Sequence, residues 1–173
     1  MNENETQKYV LSVLVENHAG VLSRVSGLFS RRGYNIDSLT VGETHHVGRS
    51  RMTIVVQGDD KILEQITKQL AKLVEVISIK HCESDVTVFR EMALIKVGVS
   101  ADQRSGVLET ANIFRARIVD VAEESLVVEA TGSQEKVGSL IKLLEPFGIL
   151  ELVRTGLTAM GRGTGVFGSD PKK

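Results

Sequence analysis

The 173 residues are 42% apolar and 25% charged, enough to build one compact domain or two small ones with genuine cores. Lysine and arginine number 21 against 22 aspartate and glutamate, so no basic field draws in nucleic acid or an anionic membrane surface. Aromatic residues are only 4% with no tryptophan, which removes the usual stacking platforms for single-stranded bases, and the lone cysteine, Cys82, excludes an internal disulfide or a CxxC metal pair.

A reducing cytoplasm is the expected setting. Met1 to Lys8 is polar and lacks the apolar stretch of a signal peptide, and no apolar run approaches the roughly 18 residues of a membrane span. Tyr9 to Glu16, short and rich in Val and Leu, reads as a buried strand. It turns at Asn17-His18-Ala19-Gly20 into an amphipathic helix, Gly20 to Arg32, whose Val21, Val25, Leu28 and Phe29 share a face before Gly33 closes it. The first amides of such a helix have no partner inside it, and the helix dipole adds about half a positive charge there. The turn therefore reads in two ways, as an ordinary cap or as a seat for a small carboxylate or phosphate, with Gly20 permitting close approach and Asn17 offering a donor and an acceptor.

Asn35 to Gly42 reads as a strand, Glu43 to Gly48 as a hairpin loop and Arg51 to Gln57 as a strand with Met52, Ile54 and Val56 alternating. A second helix places Ile62, Ile66, Leu70 and Leu73 on one face, and Val76 to His81 supplies a fourth strand. The order is βαββαβ, a four-stranded antiparallel sheet with both helices on one face. After a linker at Asp85 to Arg90 the order repeats: strand Met92 to Ser100, helix Ser105 to Phe114, strands Ile118 to Val121 and Leu126 to Ala130, helix Gln134 to Glu145 and strand Ile149 to Thr155. Gly20-Val21-Leu22 recurs as Gly106-Val107-Leu108 at the start of the corresponding helix. Gly58 matches Gly132, and an offset of 74 positions then pairs the second helices and the final strands. The tail from Gly161 to Lys173, with four glycines, reads as mobile.

No GxSxG, P-loop or clustered metal ligands are present. His45-His46 reads as a surface loop pair pointing to opposite faces, and Cys82, His81 and His18 as structural side chains. Arg31-Arg32 and the pair Arg49 and Arg51 read as solvated or partner-facing clusters.

The segment YVLSVLVENHAGVLSRVSGLFSRRGYNIDSLTV, Tyr9 to Val41, resembles the start of the small regulatory subunits of acetolactate synthase, with Arg-Arg-Gly-Tyr-Asn-Ile at 31 to 36 the most telling run. Ser50 to Ile54, Gln69 to Val74 and Ile113 to Val121 resemble the same family, and the likeness spans about residues 8 to 163. It implies an α+β fold of two ferredoxin-like βαββαβ domains in tandem: an effector-binding ACT domain at 8–84, a second domain at 85–160 and a tail at 161–173. It also implies that ACT domains pair side by side into a homodimer that binds valine at the interface. The carboxylate would sit on the turn Asn17, Ala19, Gly20, Val21 and Leu22, with Ser23 lining the pocket. Asn35 and Ile36 of the other subunit would take the ammonium. The second half has Gln103 where Asn17 stands and lacks the Tyr-Asn-Ile run, which argues against a second valine site there. The resemblance implies a non-catalytic chain that activates a large catalytic subunit. That partner would hold thiamine diphosphate, Mg²⁺ and FAD, for which this chain carries no binding signature. The rival readings are a free-standing amino-acid sensor acting on another protein and a small enzyme on the same scaffold.

Overall fold

The computed structural model describes residues 7–167, so the first six residues and the last six of the glycine-rich tail lie outside it. The described chain forms two compact units, residues 7–88 with 157–167, and Phe89–Gly156.

In the first unit, β1 (Gln7–Glu16) leads to α1 (Val21–Arg32), β2 (Ile36–Glu43), β3 (Arg49–Gly58), α2 (Asp60–Leu70) and β4 (Val76–His81), and the antiparallel sheet runs β2-β3-β1-β4. Alternation decides which side chains go inward. Tyr9, Leu11, Val13 and Val15 of β1 meet Met52, Ile54 and Val56 of β3, and the helices cover them with Val21, Val25, Leu28, Phe29, Ile66 and Leu70. Each such side chain contributes about 1.5–3 kcal/mol by leaving water. Gly33 caps α1 in the left-handed conformation, with Arg31 and Arg32 in the last turn where the helix dipole favours cations.

The opposite face of this sheet is also closed. Ser12, Leu14, Thr53 and Val55 point away from the helices yet are buried. Residues 157–167 are fastened to this face: Leu157 N donates to Ser38 Oγ at 3.2 Å, and Arg51 donates to Ser12 Oγ at 2.8 Å and to Phe167 O at 2.6 Å. Arg51 is thus a half-buried anchor rather than a solvated charge, because the chain returns over it from far along the sequence. Arg162 N also donates to Val86 O at 2.8 Å, inside the stretch that reads as a mobile tail.

The second unit contains most of β5 (Thr87–Gly98), then α3 (Arg104–Ile113), β6 (Arg117–Val121), β7 (Ser125–Gly132), α4 (Gln134–Leu144), a 3₁₀ turn at Glu145–Phe147 and β8 (Ile149–Arg154). Its strands run β6-β7-β5-β8, and the short β9 (Thr158–Gly161) belongs to the first unit. The core gathers Ala93, Ile95, Val97, Leu126, Val128 and Ala130 under Val107, Ala111, Val137, Leu140 and Leu144. Four of the six residues of the supposed linker, Thr87 to Arg90, are already strand. Its Val86-Thr87-Val88-Phe89 run is strand-forming in its own right.

The internal repeat is structural at the second helices. Asp59 Oδ1 accepts from Ile62 N at 2.8 Å, and 74 positions later Ser133 Oγ accepts from Lys136 N at 3.2 Å. The residue before each cap is glycine: a Cβ on Gly58 would lie 2.8 Å from the β-branched Ile62 side chain, whereas one on Gly132 would meet Cδ of the flexible Lys136 side chain, which can move aside. The final strands depart from that offset by one residue, because the 3₁₀ turn with Pro146 makes the second connection shorter.

Cys82 is buried, as its structural reading requires, and burial pushes its thiol from 9.0 up to about 11, outweighing the opposing pull of the Ser12 backbone, Arg51 and Lys80. In the unfolded chain the thiol ionises first. Stability is therefore expected to be unaffected below pH 9 and to fall as the pH rises from about 9 to about 11. A thiol reagent at pH 8 is expected to leave the native chain unlabelled and to label it in urea; rapid native labelling would contradict a buried Cys82.

Candidate functional site: the turn that opens α1

Gly20 is the N-cap of α1 at φ 89°, ψ −14°, a left-handed conformation that a residue with a Cβ adopts only at a cost. No side chain caps the helix from this position. Arg24 N returns to Gly20 O at 3.0 Å and Val21 N makes a long 3.4 Å bond to His18 O. Helix geometry leaves the Leu22 and Ser23 amides without an intrahelical acceptor. Asn17, His18, Ala19, Gly20, Leu22 and Ser23 are exposed, whereas Val21 is buried and pins the helix start to the core. The result is a rigid, open cluster of N–H groups at the positive end of a helix, which suits a small carboxylate.

The turn is held from two sides. Asn17 N donates to Gly48 O at 2.8 Å and Asn17 Nδ2 donates to Glu43 Oε1 at 2.7 Å, both acceptors lying at the β2–β3 hairpin. The His18 ring, exposed rather than packed as a structural side chain, lies 3.2 Å from the Glu16 carboxylate and 3.1 Å from Ala19 O. The His45 and His46 rings lie 4.1 Å apart between centroids, tilted by 40°, instead of pointing apart, because they occupy the turn rather than a strand. Among the described residues no group of three or more His, Cys, Asp or Glu could hold a metal ion.

Asn35 and Ile36 follow the far end of α1. Asn35 is exposed, with Nδ2 donating to Asp37 Oδ1 at 3.0 Å, while Ile36 is half-buried against the first core. A helix of 12 residues is about 18 Å long. One chain therefore keeps these two residues away from Gly20, and only a second copy could bring the two segments to one ligand.

The copy of the turn in the second unit differs. Gly106-Val107-Leu108 does not open its helix: α3 begins at Arg104, and the Gly106 and Val107 amides both bond Gln103 O, at 3.1 and 3.3 Å. Gly106 is needed there for packing, since a Cβ would lie 3.1 Å from the Phe147 ring. The shared motif thus keeps its buried valine in both units, but only the first unit exposes the amides.

Two family models match the chain, one described as an AHAS small subunit-like ACT domain over residues 11–78 and one as the small subunit of acetolactate synthase over residues 90–163. The chain belongs to the acetolactate synthase small-subunit family. It is 52% identical to a probable acetolactate synthase small subunit of Methanothermobacter thermautotrophicus over 95% of this chain and 98% of that one. It is 54% identical to the acetolactate synthase small subunit of Mycolicibacterium smegmatis, over 92% and 94%. The crystal structure of the small subunit from Thermotoga maritima superimposes with a TM-score of 0.85 at 43% identity, covering 92% of this chain and 99% of that one. The fold is the expected α+β tandem of ferredoxin-like units with an ACT domain first. In this small-subunit chain the sequence picks out the turn but not Glu43 and Gly48, which hold it. Their signal was the hairpin register: β1 pairs with β3 out to Glu16 opposite Arg49, so the hairpin must end beside Asn17.

Proposed function

We propose that this chain is the regulatory subunit that activates a thiamine-diphosphate-dependent acetolactate synthase and makes it subject to feedback inhibition by valine. The observation that carries this reading is the uncapped turn at Gly20, set at the opposite end of α1 from Asn35 and Ile36. A zwitterion held by the Gly20, Val21 and Leu22 amides of one chain and by Asn35 and Ile36 of another is satisfied only in a homodimer. Effector binding and dimer geometry then become one equilibrium. Ala19 shapes the turn and Ser23 lines the pocket. Thiamine diphosphate, Mg²⁺ and FAD belong to the catalytic subunit, and the complex works in the cytoplasm. Valine inhibits because it binds one state of that complex more tightly than the other.

Mixing the purified chain with the catalytic subunit from the same source tests this. Acetolactate formation is expected to rise on addition of the chain and to fall back with valine. No effect on a demonstrably active catalytic subunit would contradict the regulatory role and favour a free-standing sensor. Asn35→Ala is expected to weaken valine binding about tenfold by calorimetry, the usual scale for one hydrogen bond to a charged group, with an unchanged melting temperature. An unaltered dissociation constant would remove Asn35 from the site.

A further inference from the structure

Glu43 ends β2 and reaches the effector turn from the hairpin. A carboxylate can only accept, so its 2.7 Å contact fixes which end of the Asn17 amide faces it: the NH₂ group. The Asn17 main chain is tied to Gly48 O, so the Glu43 contact is what orients its side-chain amide. Asn17 Oδ1 has no partner among the described residues. The turn consequently offers the Leu22 and Ser23 amides, which lack an intrahelical acceptor, together with an Asn17 carbonyl whose own NH₂ is held by a carboxylate.

We propose that Glu43 is a positioning residue that turns the Asn17 carbonyl toward a ligand donor, so that the site selects an α-ammonium acid over the 2-oxo acid with the same side chain. This rests on the effector reading above and adds a basis for its selectivity. An amino acid places N–H donors next to its carboxylate, within one turn's reach of the group that binds it. A 2-oxo acid places an oxygen there, which would meet Asn17 Oδ1 lone pair to lone pair with Glu43 behind it. A site committed to an N–H in this way strongly rejects an analogue that lacks one.

Calorimetry on the full-length chain tests the proposal, using valine and the 2-oxo acid that carries the same isopropyl group. Glu43→Gln retains an acceptor and is expected to bind valine within about threefold of the parent. Glu43→Lys offers only donors and turns the amide over. Valine binding is expected to weaken about tenfold or more, and preference over the 2-oxo acid to narrow by a similar factor. The Asn17 side-chain amide resonances are expected to shift in Glu43→Lys and to stay near their parent positions in Glu43→Gln, a readout that a general loss of stability would not produce. Glu43 is exposed, so both variants should fold. Parent-like valine binding in Glu43→Lys, or an equal loss in Glu43→Gln, would overturn the positioning role while leaving the effector site standing. Failure of the parent chain to bind valine would overturn the effector reading itself.

Discussion

Gly20→Asp is expected to raise the valine concentration for half-inhibition about 100-fold or more while leaving activation of the catalytic subunit close to normal. A Cβ at Gly20 meets no atom within 4 Å, so the substitution is not excluded by a clash at that atom. It acts by chemistry: an aspartate at the N-cap carries its own carboxylate to the amides that the effector needs, and its charge repels the incoming one. Two charge-assisted bonds, each contributing about 1.5–3 kcal/mol, account for a loss of that size. The left-handed backbone at φ 89° adds roughly 1–2 kcal/mol of strain for any residue with a Cβ. Gly20→Ala separates the two causes, since it carries the strain without the charge and is expected to keep most valine sensitivity. Equal desensitisation by alanine would mean that the shape of the turn matters and its charge does not. Full retention of inhibition in Gly20→Asp, with the variant folded and activating, would place the effector elsewhere.

Phe29→Ala is expected to cost about 3–5 kcal/mol, a large share of the 5–15 kcal/mol that holds a typical domain together. Phe29 is 1% exposed and stands where α1 meets the sheet, and its carbonyl accepts the Gly33 and Tyr34 amides that end the helix. The cavity left behind would loosen α1 along its whole length and with it the turn at Gly20. The second core, built around Ile95, Leu126, Leu140 and Leu144, contains none of the first core's residues. Urea unfolding followed by hydrogen exchange is therefore expected to show early loss of protection in β1, α1 and β3 while β5, β7 and α4 remain protected. A uniform loss across both units would show that the two cores unfold as one.

Much of this architecture was readable from the chain because local and long-range signals agree. The alternation of Met52, Ile54 and Val56, the helical spacing of Val21, Val25, Leu28 and Phe29, and Gly33 at the end of α1 each specify one element. The structure keeps them with shifts of one or two residues at the boundaries. The turn was readable for the same reason, being a strand end, a glycine and a helix start in succession. What escaped depends on residues far apart in sequence. Nothing near Arg51 indicates that Phe167 O would return to accept from its guanidinium, and the four residues of β9 are too few to show a period. The recurrence of Gly-Val-Leu suggested that α3 opens as α1 does, and although its start lies within one residue of the expected Ser105, its first turn is built differently. Ser100 O accepts the Gln103 and Arg104 amides and nucleates α3 two residues before the motif. Glu43 was passed over as a loop residue, although hairpin register places it beside Asn17.

Hybrid dimers test most directly whether one effector site is built from the Gly20 turn of one chain and Asn35 of another. Chains carrying Gly20→Asp and chains carrying Asn35→Ala are each impaired as homodimers. After unfolding and refolding together, each mixed dimer holds one doubly altered site and one site with no alteration. Calorimetry of the mixture is expected to recover a class of valine sites with parental affinity that neither homodimer shows. If refolded hybrids form and no such class appears, each site lies within a single chain and the two-chain account is wrong.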